Sequence, residues 1–237
     1  MAPPRNHLLA ALPPDDYERI FPTLDTVPLK LKKTLHKAGE PVRDVYFPGG
    51  GFVSMLTVLQ DGTMVEIATV GREGVTGLPA ALNGDVSVAH TMVQAETAMC
   101  HRMPVAAFHD EMDRRGVLYD LANRYHHALV GMIMQSTACN AIHSVEQRLA
   151  RWLLMAQDRV EAHDFPMTQE FVAMMLGATR PTVTVVAGTL QSAGLITYHR
   201  GHVTILDRER LESASCECYR ATTDLLKRVN ARVPKPR

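Results

Sequence analysis

The feature that most constrains this chain is an ordered run of local signals in Thr168–Leu206. Thr168 and Thr179 each stand before a short apolar-periodic stretch, where a threonine side chain can accept the free N–H groups of a first helical turn. Gly177 and Gly194 follow these two stretches, as glycines do where helices end. Two short β-rich segments complete the run. A helix, a tight turn, a second helix and a two-stranded ribbon is the order of a winged helix-turn-helix, which predicts DNA binding.

The second helix of such a motif enters the major groove, with its N-terminal residues directed at base edges. Arg180 has the reach for a bidentate bond to guanine, and residues at helix N-termini suit phosphates. The predicted base-reading residues are Arg180, Pro181, Thr184 and Val185. The predicted phosphate contacts are Thr168, Gln169, Thr179, Thr182 and, at the ribbon tip, Arg200 and His202. Taken singly, each of these residues is equally well interpreted as a helix cap or a solvated side chain. Only the complete ordered set predicts DNA binding.

Overall charge names no partner, but its distribution is uneven. The 237 residues carry 25 Lys and Arg against 25 Asp and Glu, with a net charge of −3 over residues 1–143 and +3 over residues 144–237. A mildly basic C-terminal unit permits a polyanionic partner. No apolar run approaches the roughly 18 residues of a membrane span, and the N-terminus lacks the apolar stretch of a signal peptide. Four cysteines are too few for a disulfide scaffold, so we expect a cytoplasmic protein without a membrane partner.

The first half of the chain has the periodicity of short strands. Apolar residues alternate from Val27, and β-rich runs cover Phe52–Leu59 and Met64–Val70. The Asp61-Gly62 pair between those runs is a strong hairpin signal, because glycine accepts a positive φ. Several short strands at close spacing predict a small β-sandwich or roll.

From Val117 to about Cys139 the sequence predicts one long helix. Positions at alternating spacings of three and four form a heptad seam: Leu118, Leu121, Tyr125, Ala128, Met132, Gln135 and Cys139. We interpret this seam as a dimer interface in which the polar Gln135 fixes the register. The spacing leaves open an ordinary amphipathic helix packed on the chain's own core. A second helix is expected from His143 to Ala162.

The whole chain resembles regulators of the Crp/Fnr family. The resemblance is most specific in SVEQRLARWLL (Ser144–Leu154), TQEFVAMMLGATRPTVT (Thr168–Thr184) and LQSAGLITYHRGHVTILDRERL (Leu190–Leu211). It implies an α+β chain with a cyclic-nucleotide-binding-like, jelly-roll-like β-roll at 1–115, a long dimerisation helix at 116–142, and a winged helix-turn-helix at 143–237. It also implies a homodimer that binds a palindromic site in double-stranded DNA. RNA polymerase is a further partner that is compatible with the resemblance.

The resemblance has departures in both functional regions. Arg180 corresponds to the family's groove-reading arginine, but Pro181 and Val185 stand where many members have Glu and a second Arg, so base readout should differ. Cyclic-nucleotide-binding members pair an arginine with the cyclic phosphate. The corresponding pocket residues here are Gly77, Leu78, Ala89, His90 and Thr91, and no Arg or Lys occurs between Arg72 and Arg102. Because a buried phosphate without a cation is costly, we expect no tight cAMP binding and leave the effector unknown.

No cofactor is expected. Iron–sulfur members of the family carry cysteines near the N-terminus, whereas the first cysteine here is Cys100, and no haem pattern occurs. The pair Cys216 and Cys218 alone is weak support for a metal, because structural zinc needs four ligands, so we interpret these as idle thiols and predict no metal site. His126 and His127 point about 100° apart on the helix and are predicted to be surface or rim residues.

Two other classes of function stay open. A cupin-like roll would bind a metal or small molecule and act as an enzyme, with His90, His101 and His109 as ligands. Against it, the roll has no close His-x-His pair with a nearby Glu, so we assign no catalytic residue and predict that the chain is not an enzyme. The second is an effector-free regulator that binds DNA constitutively.

Overall fold

Antiparallel strands build the first half of the chain. The structure, a computed structural model, describes residues 4–83 and 86–230. Two short helices, α1 (His7–Ala10) and α2 (Pro14–Ile20), come first. The strands that follow are β1 (Asp25–Leu29), β2 (Thr34–His36), β3 (Asp44–Pro48), β4 (Phe52–Val58), β5 (Met64–Val70), β6 (His90–Ala95) and β7 (Thr97–Pro104), with α3 (Leu78–Asn83) between β5 and β6.

These strands form two sheets around one core. One sheet has the order β1-β7-β3 and the other β2-β6-β4-β5. Phe47 and Val45 from the first sheet and Val53 and Val93 from the second are completely buried in a single apolar cluster. The predicted hairpin joins β4 to β5, with Gly62 at a φ of +83°.

The long helix closes this roll. After α4 (Val105–Arg114), α5 runs over Val117–Ile142 and buries Leu121, Tyr125 and Leu129 in the core of the roll. The ring of Tyr125 lies so close to the backbone at Gly74 that a Cβ there would clash with it. This close approach fixes the helix to the loop that follows β5.

The predicted dimer seam is wrong, because its side chains belong to the chain's own core. Six of its seven members are each at most 3% exposed: Leu118, Leu121, Tyr125, Ala128, Met132 and Cys139. The seventh, Gln135, is half-buried and donates a hydrogen bond to Cys218 Sγ at 3.0 Å. The heptad spacing correctly identified an apolar stripe on the helix, but this stripe packs against the chain's own core.

The winged helix-turn-helix follows the long helix. Its elements are α6 (Val145–Val160), β8 (Asp164–Pro166), α7 (Gln169–Leu176), α8 (Arg180–Ser192), β9 (Ile196–His199) and β10 (His202–Ile205). Ser144 begins α6 with a capping box completed by Gln147. The strands form a small sheet of order β8-β10-β9. The architecture is the predicted α+β one.

Two helices beyond the wing were not predicted. They are α9 (Arg208–Ala214) and α10 (Cys218–Asn230). The second returns to lie along α5, so that a Cβ at Gly131 would be 3.0 Å from the Leu225 side chain. Part of the predicted 143–237 unit therefore packs on the long helix. The basic residues Arg232, Lys235 and Arg237 of the tail lie outside the described residues.

Among the described residues, no single helix is long and apolar enough to cross a membrane. The helices α7 and α8 reach that length and hydropathy only together, and they are bent by 105° relative to each other.

Candidate nucleic-acid interface

Local capping sets the geometry of the helix-turn-helix. Thr168 Oγ1 accepts the Phe171 N–H at 3.2 Å and so begins α7, while Thr179 Oγ1 accepts the Thr182 N–H at 3.3 Å and begins α8. Between them Gly177 ends α7 with a φ of +56°. The two threonines are therefore helix caps, and the Thr179 hydroxyl also lies 2.8 Å from the Thr182 hydroxyl.

Helix α8 presents one face to the core and another to the outside. Val183, Ala187 and Leu190 are buried, whereas Arg180 and Val185 are exposed, Val185 by 69%. Pro181, Thr182 and Thr184 are exposed as well, with Pro181 in the first turn, where no backbone N–H is needed. The Arg180 guanidinium makes no hydrogen bond or ion pair with any other described side chain or backbone group. The four predicted base-reading residues thus share an open surface.

Thr184 is also tied to Gln169. Its hydroxyl lies 2.7 Å from Gln169 Oε1 and 3.0 Å from the Arg180 carbonyl. Because the amide oxygen of Gln169 accepts this bond, its NH₂ group stays available as a donor at the start of α7. The hydrogen bond between Gln169 and Thr184 thus joins the first residue of α7 to the N-terminal half of α8.

Two of the predicted phosphate contacts face the roll as well. Thr179 and Thr182 line an open groove of about 800 Å³ between the helix-turn-helix and the β4–β5 hairpin, beside Met64 and Val65. A phosphate at these threonines would therefore lie at the edge of that groove.

The wing brings one unpaired cation forward. Arg200 and Gly201 form the β9–β10 turn with φ values of +48° and +79°, and Arg200 is exposed. His202 instead has its Nδ1 at 3.3 Å from an Asp164 carboxylate oxygen, and Thr204 donates to the other oxygen of that group. Because its partner is a carboxylate, His202 is less suited to contact a phosphate. Arg200 is therefore the stronger candidate for a phosphate contact.

A buried arginine that the sequence reasoning missed positions the motif. Arg148 of α6 is 8% exposed and donates to the Leu176 carbonyl at the end of α7. It also donates to the Asn140 carbonyl of α5 at 3.2 Å. One guanidinium thus satisfies carbonyls near the ends of two helices and joins the long helix to the helix-turn-helix.

A second missed feature is a buried polar cluster between the roll and the DNA-binding half. Glu66 of β5 accepts hydrogen bonds from Ser54 of β4 and from Trp152 Nε1 of α6, the latter at 2.9 Å. The Ser54 hydroxyl also lies 3.5 Å from Met175 Sδ of α7. Burial raises the pKa of Glu66 from 4.5 to about 7, although its two donors and the charges of Arg151 and Arg159 lower it.

The region of the predicted effector pocket is closely packed. Leu78, Ala89 and Thr91 are at most 2% exposed, Gly77 has a φ of +79°, and His90 lies 3.3 Å from the Thr34 hydroxyl. Beside them is a residue that the sequence did not single out. His36 bonds Thr76 at 3.1 Å, and burial lowers its pKa to about 4, so that it is neutral.

An open cavity lies next to this region, but different residues line it. Its volume is about 400 Å³, and it is lined by Leu35, His36, Glu40, Pro41, Arg43, Asp44 and Tyr46. The five predicted pocket residues are not among them.

The structure places Cys216 and Cys218, which the sequence analysis interprets as idle thiols, in a larger group of potential metal ligands. Within residues 4–83 and 86–230, one group of potential metal ligands has all its ligand atoms within 4.8 Å of one another: Cys139, His143, Cys216 and Cys218. His90, His101 and His109, the ligands of the cupin-like alternative, form no such group in the described chain.

Comparison with known proteins agrees with this geometry. Residues 147–214 match the Crp-like helix-turn-helix domain. A global nitrogen regulator of Synechococcus elongatus is 26% identical over 189 residues, which cover 74% of this chain and 82% of the relative. The chain is a transcriptional regulator with a Crp-like helix-turn-helix domain. Its winged helix-turn-helix is therefore a DNA-binding domain, and the enzymatic alternative is not supported.

Solved structures share the fold of this regulator. FixK2 from Bradyrhizobium japonicum is 17% identical, with a TM-score of 0.69 over 81% of this chain and 98% of FixK2. A CRP-family transcriptional regulator from Thermus thermophilus is 22% identical, with a TM-score of 0.63 over 81% of this chain and 98% of its own. The roll, the long helix and the helix-turn-helix thus have the same order in all three.

The buried carboxyl group predicts a pH dependence of stability. Because the folded chain holds the Glu66 proton more tightly than the unfolded chain, the free energy of unfolding falls as pH rises from about 4.5 to about 7. Glu66→Gln removes this contribution, which is about 3 kcal/mol at most. Urea unfolding at pH 5 and pH 8, followed by fluorescence of the single tryptophan, Trp152, measures it. The exposed Glu18→Gln is the control and should keep the wild-type difference; an unchanged pH difference in Glu66→Gln contradicts the assignment.

Proposed function

We propose that this regulator is a cytoplasmic homodimer that binds a two-fold-symmetric promoter site, with one α8 in each of two successive major grooves. The observation that carries the proposal is the open surface of α8, on which the unpaired Arg180 lies beside Pro181, Thr184 and Val185. A dimer presents two such helices about 34 Å apart, one turn of DNA. RNA polymerase is a further partner of such a regulator at a promoter.

Base readout divides between one polar and two apolar contacts. Arg180 donates two hydrogen bonds to the O6 and N7 atoms of a guanine, which no other base accepts in the same way. Pro181 and Val185 contact thymine methyl groups, a weaker discrimination. Gln169, Thr168, Thr179, Thr182 and Arg200 contact phosphates, with Arg200 reaching the flanking backbone from the wing.

The dimer forms through the face of α5 that neither the roll nor α10 covers. Exposed residues recur along this face at spacings of three and four: Asp120, Asn123, His127, Val130, Met134, Thr137 and Ala141. Val130 is 42% and Met134 67% exposed, and Ile142 at the end of the helix is 79% exposed. Apolar side chains at heptad spacing on an uncovered helix face support a two-stranded coiled coil. His127 lies on this face, while His126 is half-buried beside it.

The regulator works without cAMP, and its resting dimer binds DNA. No Arg or Lys lies between Arg72 and Arg102, and the predicted pocket residues are packed by their neighbours, so the cyclic phosphate has no charge partner there. The regulator also uses neither an iron–sulfur cluster nor haem. Any effector changes DNA affinity only if it binds unequally to two arrangements of the dimer's two winged helix-turn-helix domains.

Removal of the proposed guanine contact should lower specific affinity. Arg180→Ala deletes a bidentate bond and should weaken binding to a duplex selected by the wild-type protein by about 5- to 150-fold, or roughly 1–3 kcal/mol. Binding to random duplex should change much less. Fluorescence anisotropy titrations of both duplexes measure the two affinities. Arg220→Ala, an exposed arginine on α10, is the matched control. Equal losses on both duplexes would mean that Arg180 contacts only phosphate.

A charge on the open face of α5 should separate the protomers. Met134→Glu places two carboxylates opposite each other across the proposed seam and should convert the dimer to a monomer at micromolar concentration. Sedimentation velocity measures the mass of each species. Met99→Glu makes the same change at a methionine of the roll that is 43% exposed, and this variant should remain dimeric. A Met134→Glu protein that sediments as a dimer would exclude this face as the interface.

A further inference from the structure

Four potential metal ligands converge where the long helix meets the C-terminal helices. Cys139 Sγ and Cys216 Sγ are 3.5 Å apart, and Cys218 Sγ is 3.5 Å from His143 Nδ1. The three thiols are buried, with exposures between 0 and 3%. The four side chains come from two parts of the chain, 77 residues apart between Cys139 and Cys216.

Secondary structure holds these ligands in place. Cys139 and His143 are four residues apart at the end of α5, so they lie one above the other on the same face. Cys216 lies in the turn between α9 and α10, and Cys218 is the first residue of α10. A helix end and a turn therefore approach the same point from opposite sides.

The imidazole of His143 is oriented as a ligand. Its Nδ1 faces the cluster, and its Nε2 lies 3.2 Å from a carboxylate oxygen of Glu217. A carboxylate that accepts the second ring N–H of a histidine leaves the first nitrogen unprotonated, with its lone pair directed at the cluster. Glu217 stands between the two cysteines and does not itself belong to the four.

Hydrogen-bond donors and positively charged side chains surround the cluster. Gln135 Nε2 donates to Cys218 Sγ at 3.0 Å, and Arg148 and Arg151, each 8% exposed, lie close enough to act electrostatically on Cys139. Among the described residues, Arg151 Nε and Nη1 have no hydrogen-bond partner. Buried guanidinium groups with unmet bonding need nearby negative charge, and a site of three thiolates and one divalent cation supplies a net charge of −1.

We propose that Cys139, His143, Cys216 and Cys218 bind one Zn²⁺ ion per chain. Tetrahedral zinc with sulfur ligands at about 2.3 Å and nitrogen at about 2.0 Å sets ligand atoms roughly 3.5–3.8 Å apart, close to the two 3.5 Å separations observed. Three thiolates and one imidazole are a donor set that selects zinc over magnesium or calcium. On binding, the three thiols release their protons to solvent, and no electron is transferred.

The site stabilises the junction that positions the DNA-binding half. Zinc bonds join the end of α5 to the start of α10, and Arg148 continues the connection from α5 to the end of α7. Loss of the ion should therefore release α10 from the long helix before it unfolds the roll.

Metal analysis of the full-length protein tests the site directly. The protein is purified with a thiol reductant and assayed for metal, then stripped with a chelator and titrated with Zn²⁺ and separately with Co²⁺. We expect one equivalent of either ion, the thiolate absorption of tetrahedral Co²⁺, and a higher Tm after zinc addition. Cys139→Ser and Cys218→Ser should each lose the stoichiometric ion. Cys100→Ser, a change at a completely buried cysteine of the roll, is the control and should keep it.

Three results would overturn the proposal, and the first two use the wild-type chain. One is reduced protein that neither carries nor takes up stoichiometric metal. Another is a Cys139–Cys216 disulfide in protein whose thiols were blocked at lysis, seen in the mass as two blocking groups fewer than in the fully reduced and blocked chain. The third is stoichiometric zinc in soluble Cys218→Ser protein with an unchanged Co²⁺ spectrum.

Discussion

The long helix α5 is apolar on more than one side, and that constraint organises the rest of the molecule. A helix of this kind needs a partner on each apolar face. The roll covers the face with Tyr125 and Leu129, and α10 covers the face with Gly131, where Leu225 approaches. The third face keeps Val130 and Met134 exposed, and a second protomer is the partner that we propose for it. The fold, the position of the C-terminal helices and the proposed dimer are thus all related to one element.

Local signals were predicted well because they act within a few residues. The caps Thr168 and Thr179 and the glycine at 177 set the ends of α7 and α8 by bonds that span three or four positions. The exposed face of α8 follows from helical periodicity once those ends are known. The Asp61-Gly62 turn between β4 and β5 is equally local.

Long-range pairings account for what the sequence did not reveal. Heptad spacing identified an apolar stripe through Leu121 but could not distinguish the stripe that meets the roll from the one that stays open. Trp152 and Glu66 are 86 residues apart, and only the folded chain brings them together. Cys218 was visible as half of a sequence pair, but its other neighbours, His143 among them, come from the end of α5.

The junction of the two halves is rich in buried charge, which makes it the natural place for regulation. Glu66, Arg148 and Arg159 each join one side of this boundary to the other, Arg159 through a 2.6 Å ion pair with Glu73. Breaking one partner of such a pair leaves an uncompensated charge. A change in the relative position of the two halves would break these contacts.

DNA binding by the resting protein is tested most directly by a titration of the ligand-free protein against a duplex selected from random sequence, repeated with cAMP and with cyclic di-GMP. We expect binding on the order of nanomolar to a palindrome with half-sites one helical turn apart, and no change with either nucleotide. Weak, salt-sensitive binding without sequence preference, or a clear tightening with either nucleotide, would contradict this expectation.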